Sequence, residues 1–260
     1  METAIERMPV AVFDLDDTVI LDNVGARLLE QLAQQQLLGG SLNSIALRLL
    51  TRKEQLPPRQ WERMVVRLLL LGLRGQCQKD IKTLARRYVV DDVYKKYSRF
   101  TMALLQQLRL THFCLAITGS PEEMARPLTE NLRFNGCFCT SFEVNRHGRY
   151  TGRQLDVPSQ NKGDVLDQIL KTDPTLTLEG SIGIGNSYTD IPMLSLVEQP
   201  LAFNPDQELS NWARQNNCPI VIEDGDTILV SLDLEDGQHT FCGQDATTAA
   251  LEQALSPVVR

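Results

Sequence analysis

Two aspartates that follow a short apolar run are the residues best suited to chemistry in this sequence. Asp14 and Asp16 come directly after Val10–Phe13, and residues two apart on an extended chain project to the same side. Two carboxylates held so close repel each other unless a cation lies between them or one is protonated. Both states suit phosphoryl transfer, because one carboxylate can attack phosphorus while a neighbouring carboxylic acid protonates the departing oxygen.

An isolated pair of this kind is also common in solvated turns and helix N-caps, but three further stretches favour a site. Thr118 and Gly119 offer a hydroxyl and an open backbone N–H to an anionic oxygen, beside a predicted helix N-terminus. Lys162 precedes another predicted helix and could supply a fixed positive charge. Asn186 and Asp190 carry oxygen ligands of the kind that Mg²⁺ prefers. Together, and in this order, these residues predict one anion and metal site.

The elements that must position these residues are short apolar strands alternating with helices. Each predicted strand ends at one of the polar stretches, and the strands are Val10–Phe13, His112–Ile117 and Ser181–Ile184. Helical spacing covers residues 121–134 and 161–171, and a hairpin is predicted over residues 137–150. This alternation predicts an α/β fold with a Rossmann-like, doubly wound parallel sheet, whose ligands bind outside the carboxyl ends of the strands.

The segment from residue 22 to residue 100 has a different character. It contains 15 Lys and Arg against 7 Asp and Glu, although the whole chain carries a net charge of -7. Apolar residues recur there at helical spacing, over residues 28–38, 44–50, 60–73 and 78–88. We therefore predict an all-helical cap at 22–100, inserted into a core formed by 1–21 and 101–240. Residues 241–260 are interpreted as a polar C-terminal tail.

The order of the motifs FDLDDT, AITGSP, NKGDVL and GIGNSYTDIPML resembles the haloacid dehalogenase superfamily. Within it, the chain is similar to the phosphoserine-phosphatase-like group, whose helical cap follows the first motif. The resemblance extends over roughly Met8–Pro205. It implies a Mg²⁺-dependent phosphomonoesterase that works through an aspartyl-phosphate intermediate on a small phosphorylated substrate.

The resemblance also implies a role for each matching residue. Asp14 would be the nucleophile and a metal ligand, and Asp16 would be the general acid and base, with its backbone carbonyl on the metal. Thr118 and the N–H of Gly119 would bind the phosphoryl group. Lys162 would balance the negative charge of the nucleophile and of the phosphate.

Asn186 and Asp190 would complete the metal site, but Asn186 departs from the family pattern. Most relatives carry an aspartate at this position, so one negative charge is missing and the affinity for Mg²⁺ should be lower. Two interpretations follow. The chain is either an active phosphatase with a weaker metal site, or a catalytically weak or inactive relative that binds a phosphorylated ligand.

The substrate is not determined by these motifs. Asn23 stands where phosphoserine enzymes carry a glutamate for the substrate amine, and the adjacent Asp22 is an alternative partner for an ammonium. Arg27 and the cap residues Arg52, Lys53 and Arg59 could steer anionic substrates. With the leucine-rich stretch 64–71, they also leave open a lipid phosphate resembling phosphatidylglycerophosphate at a membrane surface.

The remaining composition excludes several classes of protein. Only 6% of residues are aromatic, which argues against nucleic-acid binding. The six cysteines form no CxxC pair and no metal-binding grid, so they are typical of a reducing compartment. The charged N-terminal residues do not fit a secretory signal. We therefore expect a cytoplasmic protein.

Overall fold

A computed structural model describes residues 7–91, 96–231, 239–242 and 246–255 of this chain. Its centre is an eight-stranded sheet in the order β10-β9-β8-β7-β6-β1-β2-β3, with a separate hairpin formed by β4 and β5. The strands are β1 (Met8–Phe13), β2 (Phe113–Pro121), β3 (Gly136–Thr140), β4 (Phe142–Val144), β5 (Tyr150–Gln154), β6 (Leu176–Gly185), β7 (Gln199–Phe203), β8 (Ile220–Asp224), β9 (Thr227–Ser231) and β10 (His239–Cys242).

The sheet is mostly parallel, which confirms the predicted α/β class. All pairs from β3 to β8 along the sheet are parallel, and only the β8-β9 and β9-β10 pairs are antiparallel. Strand β1 lies between β2 and β6 and is fully buried from Val10 to Phe13, because its alternate residues pack into hydrophobic clusters on the two faces of the sheet. Phe13 pairs with Ala116 on one side and with Ile184 on the other. The residues that follow these three positions therefore emerge at the same edge.

The structure contains ten α-helices, of which five come between β1 and β2 and the other five lie between or after the later strands. Four lie in the basic segment, α1 (Val24–Gln34), α2 (Gly40–Leu50), α3 (Pro58–Leu73) and α4 (Gln78–Asp91). The others are α5 (Arg99–Leu108), α6 (Glu122–Asn131), α7 (Lys162–Thr172), α8 (Ile191–Leu194), α9 (Gln207–Gln215) and α10 (Ala246–Leu255). These counts cover the described ranges alone. The division of the chain into a core and a cap at residues 22 and 100 stays a prediction.

Helix α3 accounts for the leucine-rich stretch. A proline at its first position starts it, and the side chains of Trp61, Val65, Leu69 and Leu73 recur every four residues and are buried. The indole N–H of Trp61 donates to the Leu49 carbonyl at 3.1 Å, which joins α3 to α2. In the described part of the chain, none of the helices has the length and apolarity needed to cross a membrane. These four side chains thus serve packing inside the protein, whereas Met64 and Leu71 of the same helix are exposed.

Two predictions about elements were wrong in their extent. The hairpin does not begin at Cys137, because Gly136–Thr140 forms β3, which pairs in parallel with β2. The stretch interpreted as a polar tail contains α10, whose Ala250 and Leu251 are buried in the main core. Residues 243–245 and 256–260 of that stretch lie outside the described residues.

Candidate active site

The carboxyl edge of the sheet opens into a cavity of about 950 Å³ between the sheet and α3. Five of the residues predicted to act in catalysis, phosphate binding or metal binding line this cavity, namely Asp14, Asp16, Gly119, Lys162 and Asn186. They come from the ends of β1, β2 and β6 and from the start of α7. This location agrees with the general rule that ligands of open α/β sheets bind outside the carboxyl strand ends.

Lys162 is buried between two carboxylates. Its ammonium donates to Asp14 Oδ1 at 2.5 Å and to Asp190 Oδ1 at 2.5 Å, and its side chain is 1% exposed. The residue occupies the first position of α7, which Asn161 caps by accepting the N–H of Asp164. Burial alone would lower the pKa of Lys162, but the two carboxylates raise it. The side chain is therefore a fixed cation.

Asp14 stands at the floor of the cavity. Its second oxygen, Oδ2, accepts only a long hydrogen bond from the Thr18 hydroxyl at 3.4 Å. Burial raises the pKa of Asp14, the carboxylates of Asp190 and Asp16 raise it further, and Lys162 opposes them. This oxygen is the one available to an incoming electrophile or cation, because Lys162 occupies the other.

Asp16 is held by two donors. The N–H of Val24 donates to Oδ1 at 2.8 Å, and the hydroxyl of Ser120 donates to Oδ2 at 2.5 Å. Burial raises the pKa of Asp16 to about 6, although both hydrogen bonds oppose the rise. Ser120 is not among the predicted site residues, although its hydroxyl directly follows Thr118-Gly119 at the end of a predicted strand and beside a predicted helix start.

Thr118 lies below the cavity wall and does not form part of it. Its side chain is fully buried, and its hydroxyl oxygen accepts the N–H of Ser120 at 3.1 Å. Gly119 lies on the wall, where a Cβ atom would approach Ser159 Oγ to 2.9 Å. The turn after β2 therefore presents Gly119 and Ser120 to the cavity, while Thr118 stabilises the turn.

The loop after β6 is organised by Asp190. Its Oδ2 accepts the N–H groups of Asn186 and Ser187, each at 2.9 Å, while Oδ1 accepts from Lys162. Gly185 is required here, because a Cβ at this position would lie 2.4 Å from the Asp190 carboxyl carbon. Both oxygens of Asp190 are thus occupied. The Asn186 side chain lines the cavity and makes no hydrogen bond within the described residues.

The donor atoms at this edge fit a small hard cation. Across the described ranges there is no cluster of three or more His, Cys, Asp or Glu side chains arranged to hold a metal ion. The available ligands are the Asp14 carboxylate, the Asn186 amide oxygen and main-chain carbonyls. All are oxygen atoms, and Mg²⁺ is bound through few protein ligands and retains several waters. The residues present therefore fit Mg²⁺ better than a softer ion.

The start of α1 corrects our interpretation of Asp22 and Arg27. Asp22 forms ion pairs with Arg27 and Lys96, so its carboxylate is already neutralised. Asn23 caps α1, with its side-chain oxygen accepting the N–H of Ala26 at 2.8 Å. Neither Asp22 nor Arg27 lines the cavity. The predictions that Asp22 binds a substrate ammonium and that Arg27 steers an anionic substrate are both wrong, because these two side chains bind each other.

Arg59 connects α3 to the opposite wall of the cavity. Its guanidinium lies 3.8 Å from the centre of the Tyr188 ring and forms an ion pair with Glu208. The neighbouring Lys53 lies 3.9 Å from Asp17 and is exposed. Of the cap residues Arg52, Lys53 and Arg59, only Arg59 lines the cavity, and it is paired with Glu208.

Comparison with known sequences assigns the family. The profile of the haloacid dehalogenase-like hydrolases matches residues 11–195, more than half of the chain. A histidinol-phosphatase of Neisseria meningitidis is 26% identical over 157 residues, which cover 58% of this chain and 71% of that protein. A phosphoserine phosphatase of Mycobacterium tuberculosis is 32% identical over 105 residues, 40% of this chain and 34% of that protein. The matched part is therefore about a third of the mycobacterial enzyme.

Solved structures share the fold. A protein of unknown function from Bordetella pertussis superimposes with a TM-score of 0.67 at 21% identity, over 84% of this chain and 99% of that one. A phospho-aspartyl intermediate analogue of phosphoserine phosphatase superimposes with a TM-score of 0.57 at 17% identity, over 84% and 94% of the two chains. The motif order, the fold and the family profile agree, and the chain belongs to the haloacid dehalogenase-like hydrolases.

Proposed function

We propose that this hydrolase cleaves phosphomonoesters by forming an aspartyl-phosphate on Asp14. The observation that carries the proposal is the arrangement at the end of β1. Asp14 and Asp16 face one cavity, and the Lys162 ammonium lies 2.5 Å from Asp14 Oδ1. A buried carboxylate with a fixed cation on one oxygen and an open second oxygen suits nucleophilic attack on an anionic phosphoryl group.

The reaction has two chemical steps. Asp14 Oδ2 attacks phosphorus, the bond to the ester oxygen breaks, and Asp16 donates a proton to the departing alcohol. Asp16 then takes a proton from a water molecule, whose oxygen attacks phosphorus and releases phosphate from Asp14. The hydrogen bonds from Val24 and Ser120 hold the Asp16 carboxyl group in place for both transfers.

The surrounding residues stabilise charge and fix geometry. The N–H of Gly119 is suited to a phosphoryl oxygen, because Gly119 lies on the cavity wall. Lys162 offsets the repulsion between Asp14 and the phosphate. We assign Thr118 and Asp190 positioning roles, since the hydroxyl of Thr118 supports the turn of Ser120 and both oxygens of Asp190 bind protein groups.

Mg²⁺ would be held by Asp14, by the main-chain carbonyl of Asp16 and by the side-chain oxygen of Asn186. When bound, it would neutralise charge on the transferred phosphoryl group. Asp190 would support this site indirectly through the N–H of Asn186. We favour an active enzyme over a ligand-binding relative, because Asp14, Asp16 and Lys162 are all retained around the cavity.

The substrate is proposed to be a small phosphorylated metabolite handled in the cytoplasm. Relatives are named for histidinol phosphate and phosphoserine, and both compounds are candidates here. The lipid-phosphate alternative has less support, since neither of these relatives is named for a lipid phosphate.

A phosphate-release screen tests the proposal. It compares histidinol phosphate, phosphoserine, sugar phosphates, an aryl phosphate and a lipid phosphate at saturating Mg²⁺, with Asp14→Asn as the blank. We expect at least one metabolite to be hydrolysed by the wild type and none by the variant. Release of phosphate by Asp14→Asn at the wild-type rate would refute the role of Asp14.

A further inference from the structure

We propose that the cavity selects phosphomonoesters whose alcohol part carries no anionic group. The inference rests on the proposed hydrolysis of phosphomonoesters and adds the class of substrate. It follows from the charges around the cavity and from the partners that those charges already have.

Carboxylates outnumber cations on the described cavity wall by six to two. The cations are Arg59 and Lys162. The carboxylates are those of Asp14, Asp16, Asp17, Glu62, Asp206 and Glu208. A bound divalent ion and Lys162 would neutralise the charge of the phosphoryl group. The rest of the wall therefore determines which alcohol parts can bind.

Both cations already have carboxylate partners. Lys162 is 1% exposed and donates to Asp14 and Asp190. Arg59 is paired with Glu208 and stacked on Tyr188. A carboxylate on the alcohol part would have to compete with Glu208 for the Arg59 guanidinium.

Glu62 is the carboxylate best placed to repel such a group. It projects from α3 on the cap side of the cavity, and no ion pair to it exists within the described residues. Burial raises the pKa of Glu62, the carboxylates of Asp17 and Asp206 raise it further, and Lys53 and Arg59 oppose them. Glu62, Asp17 and Asp206 all line the same cavity, so their charges act together on a ligand bound there.

The rest of the wall carries no charge: it combines apolar side chains with uncharged polar ones such as Gln154, Ser159 and Asn211, and it suits an uncharged body. Val65, Val66 and Leu69 of α3 line it, and Phe142 of β4 contributes an aromatic ring. The space of about 950 Å³ is much larger than a phosphate group, which leaves room for a sizeable alcohol.

The test uses two ligands that differ by one carboxylate, phosphoethanolamine and phosphoserine. Binding to Asp14→Asn is measured by calorimetry with Mg²⁺, and turnover is measured with the wild type. We expect phosphoserine to bind and react at least about tenfold less well, since like charges in a binding site are costly. The preference for phosphoethanolamine over phosphoserine should be smaller in Glu62→Gln and in high salt. The matched control is Glu179→Gln, which removes an exposed carboxylate outside the cavity.

The binding arm is independent of catalysis. Binding without any turnover would refute the proposed function and leave this inference supported if phosphoethanolamine is preferred. Equal or tighter binding of phosphoserine, or no binding of either ligand, would overturn the inference. A preference for phosphoserine that disappears in Arg59→Gln would identify Arg59 as an anion receptor and would also overturn it.

Discussion

The ammonium of Lys162 lies 2.5 Å from Oδ1 of Asp14 in the interior of the protein. One side chain thus fixes the orientation of the other and leaves Oδ2 with no partner among the described residues except the Thr18 hydroxyl at 3.4 Å. The same ammonium reaches Asp190, so the end of β1, the start of α7 and the loop after β6 meet at a single charge.

Replacement of this charge should affect both stability and activity. In Lys162→Met two buried carboxylates lose their cationic partner, and we expect the free energy of unfolding to fall by about 3–5 kcal/mol. Turnover should fall at least about a hundredfold, because the charge that balances phosphate is lost. Urea denaturation and phosphate release measure the two effects.

The double variant Lys162→Met/Asp190→Asn separates the effect on stability from the effect on activity. It removes one of the two unpaired carboxylates, so part of the lost stability should return while activity stays low. Wild-type turnover by either variant would contradict the role of Lys162.

Ser120→Ala removes one of the two donors that hold Asp16. Hydrogen-bond partners that orient a reactive group are worth about 10–100-fold in activity at metal sites. We expect a fall in kcat of roughly tenfold with little change in KM, because Ser120 is assigned to Asp16 and not to substrate binding. The control is Ser141→Ala, whose exposed hydroxyl binds Asp156 away from the cavity. A change in KM alone would contradict the assignment.

Asn186→Asp should increase the affinity for Mg²⁺. The substitution restores a carboxylate at a side chain that has no hydrogen bond in the described structure. We expect half-maximal activation at about tenfold lower Mg²⁺, since added negative charge strengthens binding of a hard cation. Asn211→Asp adds the same charge to an exposed residue elsewhere on the cavity wall and should leave the midpoint nearly unchanged. Equal shifts in both variants would argue against a metal ligand at Asn186.

Glu123 should make stability depend on pH. It is buried, it accepts the Tyr150 hydroxyl at 2.6 Å on Oε1, and its Oε2 lacks a hydrogen-bond partner in the described residues. Burial raises its pKa above the ordinary value, so the folded state favours the protonated form. The stabilising contribution is present at low pH and is lost as pH rises through the raised pKa.

The measurement compares unfolding of the wild type and Glu123→Gln at several pH values between 4 and 8. The free energy of unfolding of the variant relative to the wild type should increase with pH, because glutamine cannot ionise. Glu179→Gln, at an exposed position, should give a difference that is nearly independent of pH. A pH-independent difference for Glu123→Gln would contradict a raised pKa.

The positions of the reactive residues could be predicted from the sequence because they follow buried strands. The apolar run before Asp14 marks β1, and register with β2 and β6 brings Gly119 and Asn186 to the same edge. These inferences depend only on strand periodicity and on the parallel arrangement. The sequence spacing carried that information.

Contacts between distant segments could not be predicted in the same way. The bond from Ser120 to Asp16 spans 104 residues, and the stacking of Arg59 on Tyr188 joins α3 to the loop after β6. The pairing of Asp22 with Lys96 also depends on how the cap segment returns to the sheet. Such partners are decided by tertiary packing, which local patterns do not encode.

The proposed mechanism requires a covalent bond between the transferred phosphate and Asp14. Wild-type enzyme is mixed with Mg²⁺ and the best substrate from the screen, quenched during turnover and treated with borohydride, which reduces an acyl phosphate to an alcohol. Peptide mass analysis should then detect homoserine at position 14, and no such product in Asp14→Asn. Continued phosphate release with residue 14 unmodified, or homoserine at another position, would contradict the mechanism.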